Sequence, residues 1–221
     1  MIESWPRPRI LAVRALFLGA VLAAGGCATL DESSCRSGDW QQIGYADGVN
    51  GQSASRLADH GKACARYGIA ADQTGWQLGY AQGLGRYCTA ENGYVQGRDG
   101  RSYGNVCPAA LDAQFRPAYD AGRRTHGLRQ QLQSLDQQLD QVLATLGEDD
   151  RRARDYLDAA RRGREVAAPE LLSRRDRKTL EREQTQLQQD YNKTRHALDQ
   201  TDQTAAARYG APPLQPIVRG Y

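Results

Sequence analysis

An all-α fold is what this sequence predicts: a small Gly/Tyr-rich helical domain with disulfides, followed by a coiled-coil-like helical arm. Two periodicities carry that reading. In the first half glycines recur four residues apart, as in Gly44 and Gly48 or Gly75, Gly79 and Gly83, and this spacing lines one side of a helix. In the second half Leu128, Leu132, Leu135, Leu139, Val142 and Leu146 follow a 4-3-4-3-4 spacing, which is an apolar heptad seam.

The first half is built around a short unit, [Gly/Ala]-Tyr-x-x-Gly, at Gly44–Gly48, Gly79–Gly83, Gly93–Gly97 and Ala118–Gly122. The intervals between copies are irregular, so the pattern is not a solenoid. A glycine inside a helix costs about 1 kcal/mol against alanine, and so many of them imply close helix–helix approach. Membrane dimerisation uses the same spacing, but Asp72, Gln73, Gln77, Gln82 and Arg86 surround the stripe and exclude that reading.

Helices are expected at 39–51, broken at Gly51-Gln52, then at 54–66 with Ser53 as cap, and at 72–88 with Asp72 near the start. The stretch 89–108, with Gly93, Gly97, Gly100 and Gly104, reads as an irregular, disulfide-closed loop. Its glycines are not a phosphate loop, because no Gly-Lys-Ser/Thr follows. Pro117 should open or kink the next helix, and Gly147 stands where a C-terminal cap belongs. A short helix over 148–162 follows, acidic at its start and basic at its end, as the helix dipole favours. Ser173 then caps a long helix whose seam of Leu180, Leu187, Tyr191 and Leu198 is interrupted by Gln184 and Thr194. The tail 209–221, with Pro212, Pro213 and Pro216, should be extended. Isolated helices are marginal in water, so the 128–146 seam needs a mate, either the 174–205 helix or another subunit.

The N-terminus reads as an export address. Arg7, Arg9 and Arg14 precede or flank a short apolar run that ends in Gly25-Gly26-Cys27. That run is half the length of a membrane span. Gly25-Gly26-Cys27 resembles a bacterial lipobox with Ala24 in place of the usual Leu, which makes Cys27 the expected lipidation (palmitate) site. Cleavage after Ala28, giving a soluble periplasmic protein, is the alternative. Ala28, not Asp, follows the cysteine, and the resemblance to Gram-negative lipoproteins then implies the outer membrane, periplasmic face. Two or more acyl chains would hold the protein on the membrane through Cys27.

Cys35, Cys64, Cys88 and Cys107 remain, an even number that suits two disulfides in an oxidising compartment. No short Cys-x-x-Cys pair supports zinc, and no metal or other cofactor is expected. If helices 39–51 and 54–66 fold back on each other at Gly51, Cys35 meets Cys64, and Cys88 and Cys107 close the loop between them. The chain carries a net charge of only +3, without a basic patch in either half, which argues against a nucleic-acid partner.

The division expected is a signal peptide at 1–26, an anchor linker at 27–34, the disulfide-bonded domain at 35–125, the helical region at 126–208 and the tail at 209–221. The change of pattern near residue 125 implies a separable arm, so that residues 28–127 should fold alone.

The residues Asp39-Trp40, Gly44-Tyr45-x-Asp47-Gly48, Gly51, His60, Cys64, Gly68, Asp72, Gly79, Gly83-Leu84, Tyr87-Cys88, Gly93-Tyr94, Gly97, Gly100, Tyr103, Val106-Cys107-Pro108, Phe115, Tyr119 and Gly122 form an ordered series. The Gly/Tyr half thereby resembles an uncharacterised family of bacterial lipoproteins, domain of unknown function 2799. The resemblance implies an envelope location and transfers no catalytic residue.

No His-Glu-x-x-His motif occurs, and His60, His126 and His196 stand far apart. Asp47 and Glu91 could pair only if the fold joins them. The sequon Asn192-Lys193-Thr194 has no use in a bacterial envelope. Two functions follow. One is a non-enzymatic envelope lipoprotein with a structural or interaction role, whose partner is an envelope protein or peptidoglycan. The other is a glycan-binding module or small hydrolase using Trp40, Asp47, His60 and Trp76 as a ligand surface. Aromatics exposed beside Asp47 would favour the second; aromatics buried over glycine would favour the first.

Overall fold

A computed structural model describes residues 29–215; the regular elements among them are all helices, with no strand. The elements are α1 (Glu32–Ser37), α2 (Trp40–Val49), α3 (Arg56–Ala65), α4 (Gln73–Tyr87), α5 (Ala90–Arg98), α6 (Ala109–Arg161) and α7 (Arg174–Tyr209). The expected signal peptide and Cys27 lie outside the described residues, as does the tail beyond Gln215.

Short polar side chains start most of these helices by accepting a backbone N–H that the first turn leaves free. Asp31, Asp39, Asp72, Thr89 and Ser173 each do so. Ser53 does not cap α3. Its hydroxyl accepts from the Ser55 amide within a preceding turn, and α3 begins at Arg56.

The first half consists of two helix pairs of the same construction. In the first, a β-carbon on Gly44 would strike the Trp76 carbonyl and one on Gly48 the Tyr80 carbonyl. Likewise Gly79 faces the Gln41 carbonyl and Gly83 the Tyr45 carbonyl. The contacts advance together along both chains, so α2 and α4 run parallel, backbone against backbone. The second pair repeats this: Gly93 faces Phe115, Gly97 faces Tyr119, and Gly122 faces Tyr94, which sets α5 parallel to α6. Equivalent details recur in the turns. Tyr80 Oη donates to the Gln52 carbonyl at 2.6 Å, and Tyr119 Oη to the Arg101 carbonyl at 2.7 Å. Gly51 and Gly100 leave the first helix of each pair with φ of 62° and 75°, beneath the rings of Tyr87 and His126. Only glycine takes that backbone conformation without strain and also admits a ring at such range.

Both expected disulfides are present, Cys35–Cys64 and Cys88–Cys107. The expected route to the first was different, because α2 packs along α4 rather than α3. The supposed loop 89–108 contains α5. Its glycines are contact points for α6, and only residues 99–108 are irregular.

The leucine seam pairs within the chain. Leu132, Leu139, Val142 and Leu146 of α6 bury against Leu187, Tyr191 and Leu198 of α7, flanked by Leu128, Leu135 and Leu180. Two expected interruptions of α6, at Pro117 and Gly147, do not end it. It starts after Pro108, contains Pro117 in its interior, and passes Gly147 without ending. Gly147 is an open helix position, whereas Leu146 and Asp149 on either side are buried, so packing carries the helix forward. The helix spans 53 residues, about 80 Å.

The expected boundaries do not divide the structure. Residues 29–34 are no free linker, since Asp31 caps α1 and Thr29 bonds His60. The helix α6 runs unbroken across residues 125 and 126. The end of α7 also returns to the second helix pair, where Ala205, Ala206 and Ala211 cover Tyr94, Ala118 and Ala121. Residues 211–215 are non-helical, as expected of the tail, but they are tied down by the bonds that Arg98 and Asp202 make to Pro212 and Leu214.

Candidate functional site

Trp40, Asp47, His60 and Trp76, the candidate ligand residues, do converge. Asp47 stands on α2, one residue before Gly48, where the close approach of α4 brings the Trp76 indole over it. Its Oδ2 accepts from Trp76 Nε1 at 2.9 Å and contacts His60 Nε2 at 2.8 Å. The other imidazole nitrogen, Nδ1, meets the Thr29 hydroxyl at 2.8 Å. In the tautomer carrying hydrogen on Nε2, His60 donates to Asp47 and accepts from Thr29, so every polar atom of the ring is used. Trp76 stacks on Tyr80 at 4.5 Å. Burial, then the nearby Asp47 charge, pushes the Tyr80 phenol above its ordinary value.

The set faces inward. Trp76 and His60 are each 2% exposed, and Trp40 packs with Trp76 around the Cys35–Cys64 bridge. It is a buried polar tie joining α2, α3, α4 and the entering chain. Glu91 takes no part in it and stands exposed in the first turn of α5. His196 and Asn192 are exposed on α7, and His126 contacts the Arg98 carbonyl at 3.2 Å.

Sequence reading missed a second buried cluster. Asp202 of α7 accepts from Tyr94 Oη at 2.7 Å and from the Leu214 amide at 2.6 Å. Arg98 lies 3.5 Å from Asp202 and over the Tyr94 ring, and donates to the Pro212 carbonyl. Burial, reinforced by the bond to Asp202, pushes the Tyr94 phenol up to about 12. A lone Asp inside a polar helix carries no mark of this role; the only hint was Tyr94 itself, the second member of a Gly-Tyr-x-x-Gly unit.

An open cleft of about 450 Å³ lies where α6 leaves the second helix pair, with Asp99, His126, Arg129 and Asp136 above Leu132 and Tyr191. Among the described residues, no group of three or more His, Cys, Asp or Glu side chains is arranged to hold a metal, and no helix is long and apolar enough to cross a membrane.

Two parallel glycine-faced helix pairs, each with its own disulfide and joined to a long helical hairpin, define the class: an all-helical, disulfide-bonded protein. Residues 39–124 match the family described as Protein of unknown function (DUF2799), which covers both helix pairs and ends inside α6. No curated protein and no solved structure matches the chain.

Proposed function

We propose that this protein is a cell-envelope lipoprotein with a structural or protein-interaction role, held by acyl chains on Cys27 at the periplasmic face of the outer membrane. The observation that carries the reading is the burial of the candidate ligand set. Trp40, Asp47, His60 and Trp76 are spent on internal hydrogen bonds and packing, so these four offer no exposed aromatic platform for a glycan. Thr29, His60 and Asp47 do form a hydroxyl–imidazole–carboxylate series, the set that activates nucleophiles elsewhere. An imidazole 2% exposed has no route to a substrate. Two disulfides suit an exported chain. The hairpin of α6 and α7 extends well past both helix pairs and supplies the surface for envelope partners, protein or peptidoglycan.

Labelling cells with a fatty-acid probe tests the anchor: wild type should label and Cys27→Ala should not, and equal labelling of both would end the proposal. The glycan-binding or hydrolytic alternative now rests on the cleft of Asp99, His126 and Arg129. Saturable binding of muropeptides or glycan oligomers, lost in Arg129→Ala, would favour it.

A further inference from the structure

We propose that the first helix pair is seated directly on the lipid headgroup layer, because a single residue separates the acylated cysteine from the fold; the inference rests on acylation at Cys27. An anchor holds a domain near or far according to the free chain between them. Here that chain is Ala28. The Thr29 hydroxyl meets His60 Nδ1 at 2.8 Å. Leu30 packs against the cluster of Cys35, Trp40, Cys64 and Trp76. Asp31 accepts from the Ser34 amide at 2.8 Å and so starts α1. Cys35 in α1 is bonded to Cys64 of α3. A hydrogen bond, an apolar contact, a helix cap and a disulfide thus follow Cys27 in quick succession.

The distances are short enough to set the position. From Cys27 to Thr29 the chain reaches about 7 Å at full stretch. From Thr29 the contacts run through His60 to Asp47 Oδ2 at 2.8 Å and on to Trp76 Nε1 at 2.9 Å. The buried indole therefore lies within about 20 Å of the acyl-bearing residue. The hydroxyl–imidazole–carboxylate series, which has no route to a substrate, acts here as a clasp that ties the entering chain to α2, α3 and α4. The disulfide backs it. Were Thr29, Leu30 and Asp31 all released, the free chain would still end at Cys35, about 28 Å from Cys27 when fully extended. In the other direction α4 runs about 17 Å from Trp76 to Tyr87, whose ring stacks on Phe115 at 5.3 Å. From Phe115 α6 continues for about 70 Å to Arg161, so the far end of the hairpin stands tens of ångströms from the anchor.

The test uses the acylated mature chain, residues 27–221, in phosphatidylcholine vesicles that contain dansyl-phosphatidylethanolamine. Trp40 and Trp76 are the tryptophans of that chain, and both sit in the clasped cluster, so they serve as energy donors to the dansyl headgroups. Strong transfer is expected. Twelve Gly/Ser residues inserted between Ala28 and Thr29 add a linker that averages about 20 Å, and transfer should fall roughly twofold or more. Thr29→Gly/Leu30→Gly/Asp31→Gly, which keeps the Cys35–Cys64 bridge, should give an intermediate value. The tryptophan emission maximum should stay the same in all three proteins, as expected of indoles that remain buried. Weak transfer in the wild type would overturn the proposal. Transfer unchanged by the insertion would do so too, since the short chain would then not set the position, and a triple-glycine variant equal to wild type would remove the clasp. Mass spectrometry and vesicle flotation read the anchor separately. A chain without acyl mass that fails to float would end the anchor reading, whereas an acylated, floating chain with weak transfer would end this one alone.

Discussion

Tyr94 donates its phenolic hydrogen to Asp202 across 108 residues of sequence, at 2.7 Å in a buried setting. This one bond fastens the end of the hairpin to the glycine-faced pair of α5 and α6. Asp202 also neutralises Arg98 and holds the Leu214 amide, so its removal strands a buried guanidinium. Breaking a buried pair from one side costs about 3–5 kcal/mol. Asp202→Ala should therefore lose a large part of the stability measured by urea unfolding. Tyr94→Phe, which removes one hydrogen bond, should lose about 0.5–3 kcal/mol. Equal losses from the two variants would contradict Asp202 as the hub.

Alkaline titration reads the same contact. A phenol held near 12 in the fold and near 10 when unfolded stabilises the protein fully below pH 10, and the contribution fades as pH rises through 12. Tyr103 is similarly raised to about 12, by burial and then by its bond to Asp112. Phenolate absorbance should show a late group of tyrosines that shrinks by one in Tyr94→Phe.

The glycines separate by sign. Gly85 has open space where a β-carbon would go, so Gly85→Ala should gain up to about 1 kcal/mol from helix propensity. Gly79 and Gly97 face the backbone carbonyls of Gln41 and Tyr119, which cannot rotate away. Gly79→Ala and Gly97→Ala should lose at least about 1–3 kcal/mol through overpacking. Thermal melts of the three variants decide the matter, and a stabilised Gly79→Ala would remove close backbone packing from the account.

These glycines also mark what was legible. Caps at Asp72 and Ser173 could be read because a cap is a local event, and the leucine seam because its period is local too. The helix α5 was hidden, since Gly93 and Gly97 weaken it locally and their compensation, contact with α6, lies more than twenty residues away. Its repeat of the Gly-Tyr-x-x-Gly unit was the available signal. Gly147 and Pro117 misled for the converse reason: local breaking tendencies are outweighed by burial of their neighbours. Asp47, His60 and Trp76 were selected as a set, but their inward direction depends on α4 lying against α2.

Acid should loosen the hairpin tip before the helix pairs. The Leu172 amide, then Arg177, holds the Asp149 carboxyl below its usual range. A carboxylate with a lowered value stabilises the fold above the ordinary carboxylate range and loses that effect as pH falls through the lowered value. Hydrogen exchange of the Leu172 amide should accelerate, relative to α4 amides, below about pH 4. Asp149→Asn should show the faster exchange already at neutral pH.

Truncation after Gly127 tests how the halves depend on each other. The fragment 28–127 keeps both disulfides and the whole α2–α4 pair. It loses Ala205, Ala206, Asp202 and Ala211, which cover Tyr94, Ala118 and Ala121 in the full structure. Tyr94 is fully buried and pairs at 5.9 Å with Tyr209, so its face of α5 and α6 becomes an apolar surface open to water. Burying one large apolar side chain contributes about 1.5–3 kcal/mol. The loss of this cover, together with the Asp202 bonds, should exceed what one disulfide restores, roughly 3 kcal/mol. The fragment should keep its α2–α4 pair, melt well below residues 28–221, and show extra hydrogen exchange confined to α5 and residues 109–127. A fragment that melts with the longer chain and protects those amides equally would mean that the two helix pairs are complete without α7.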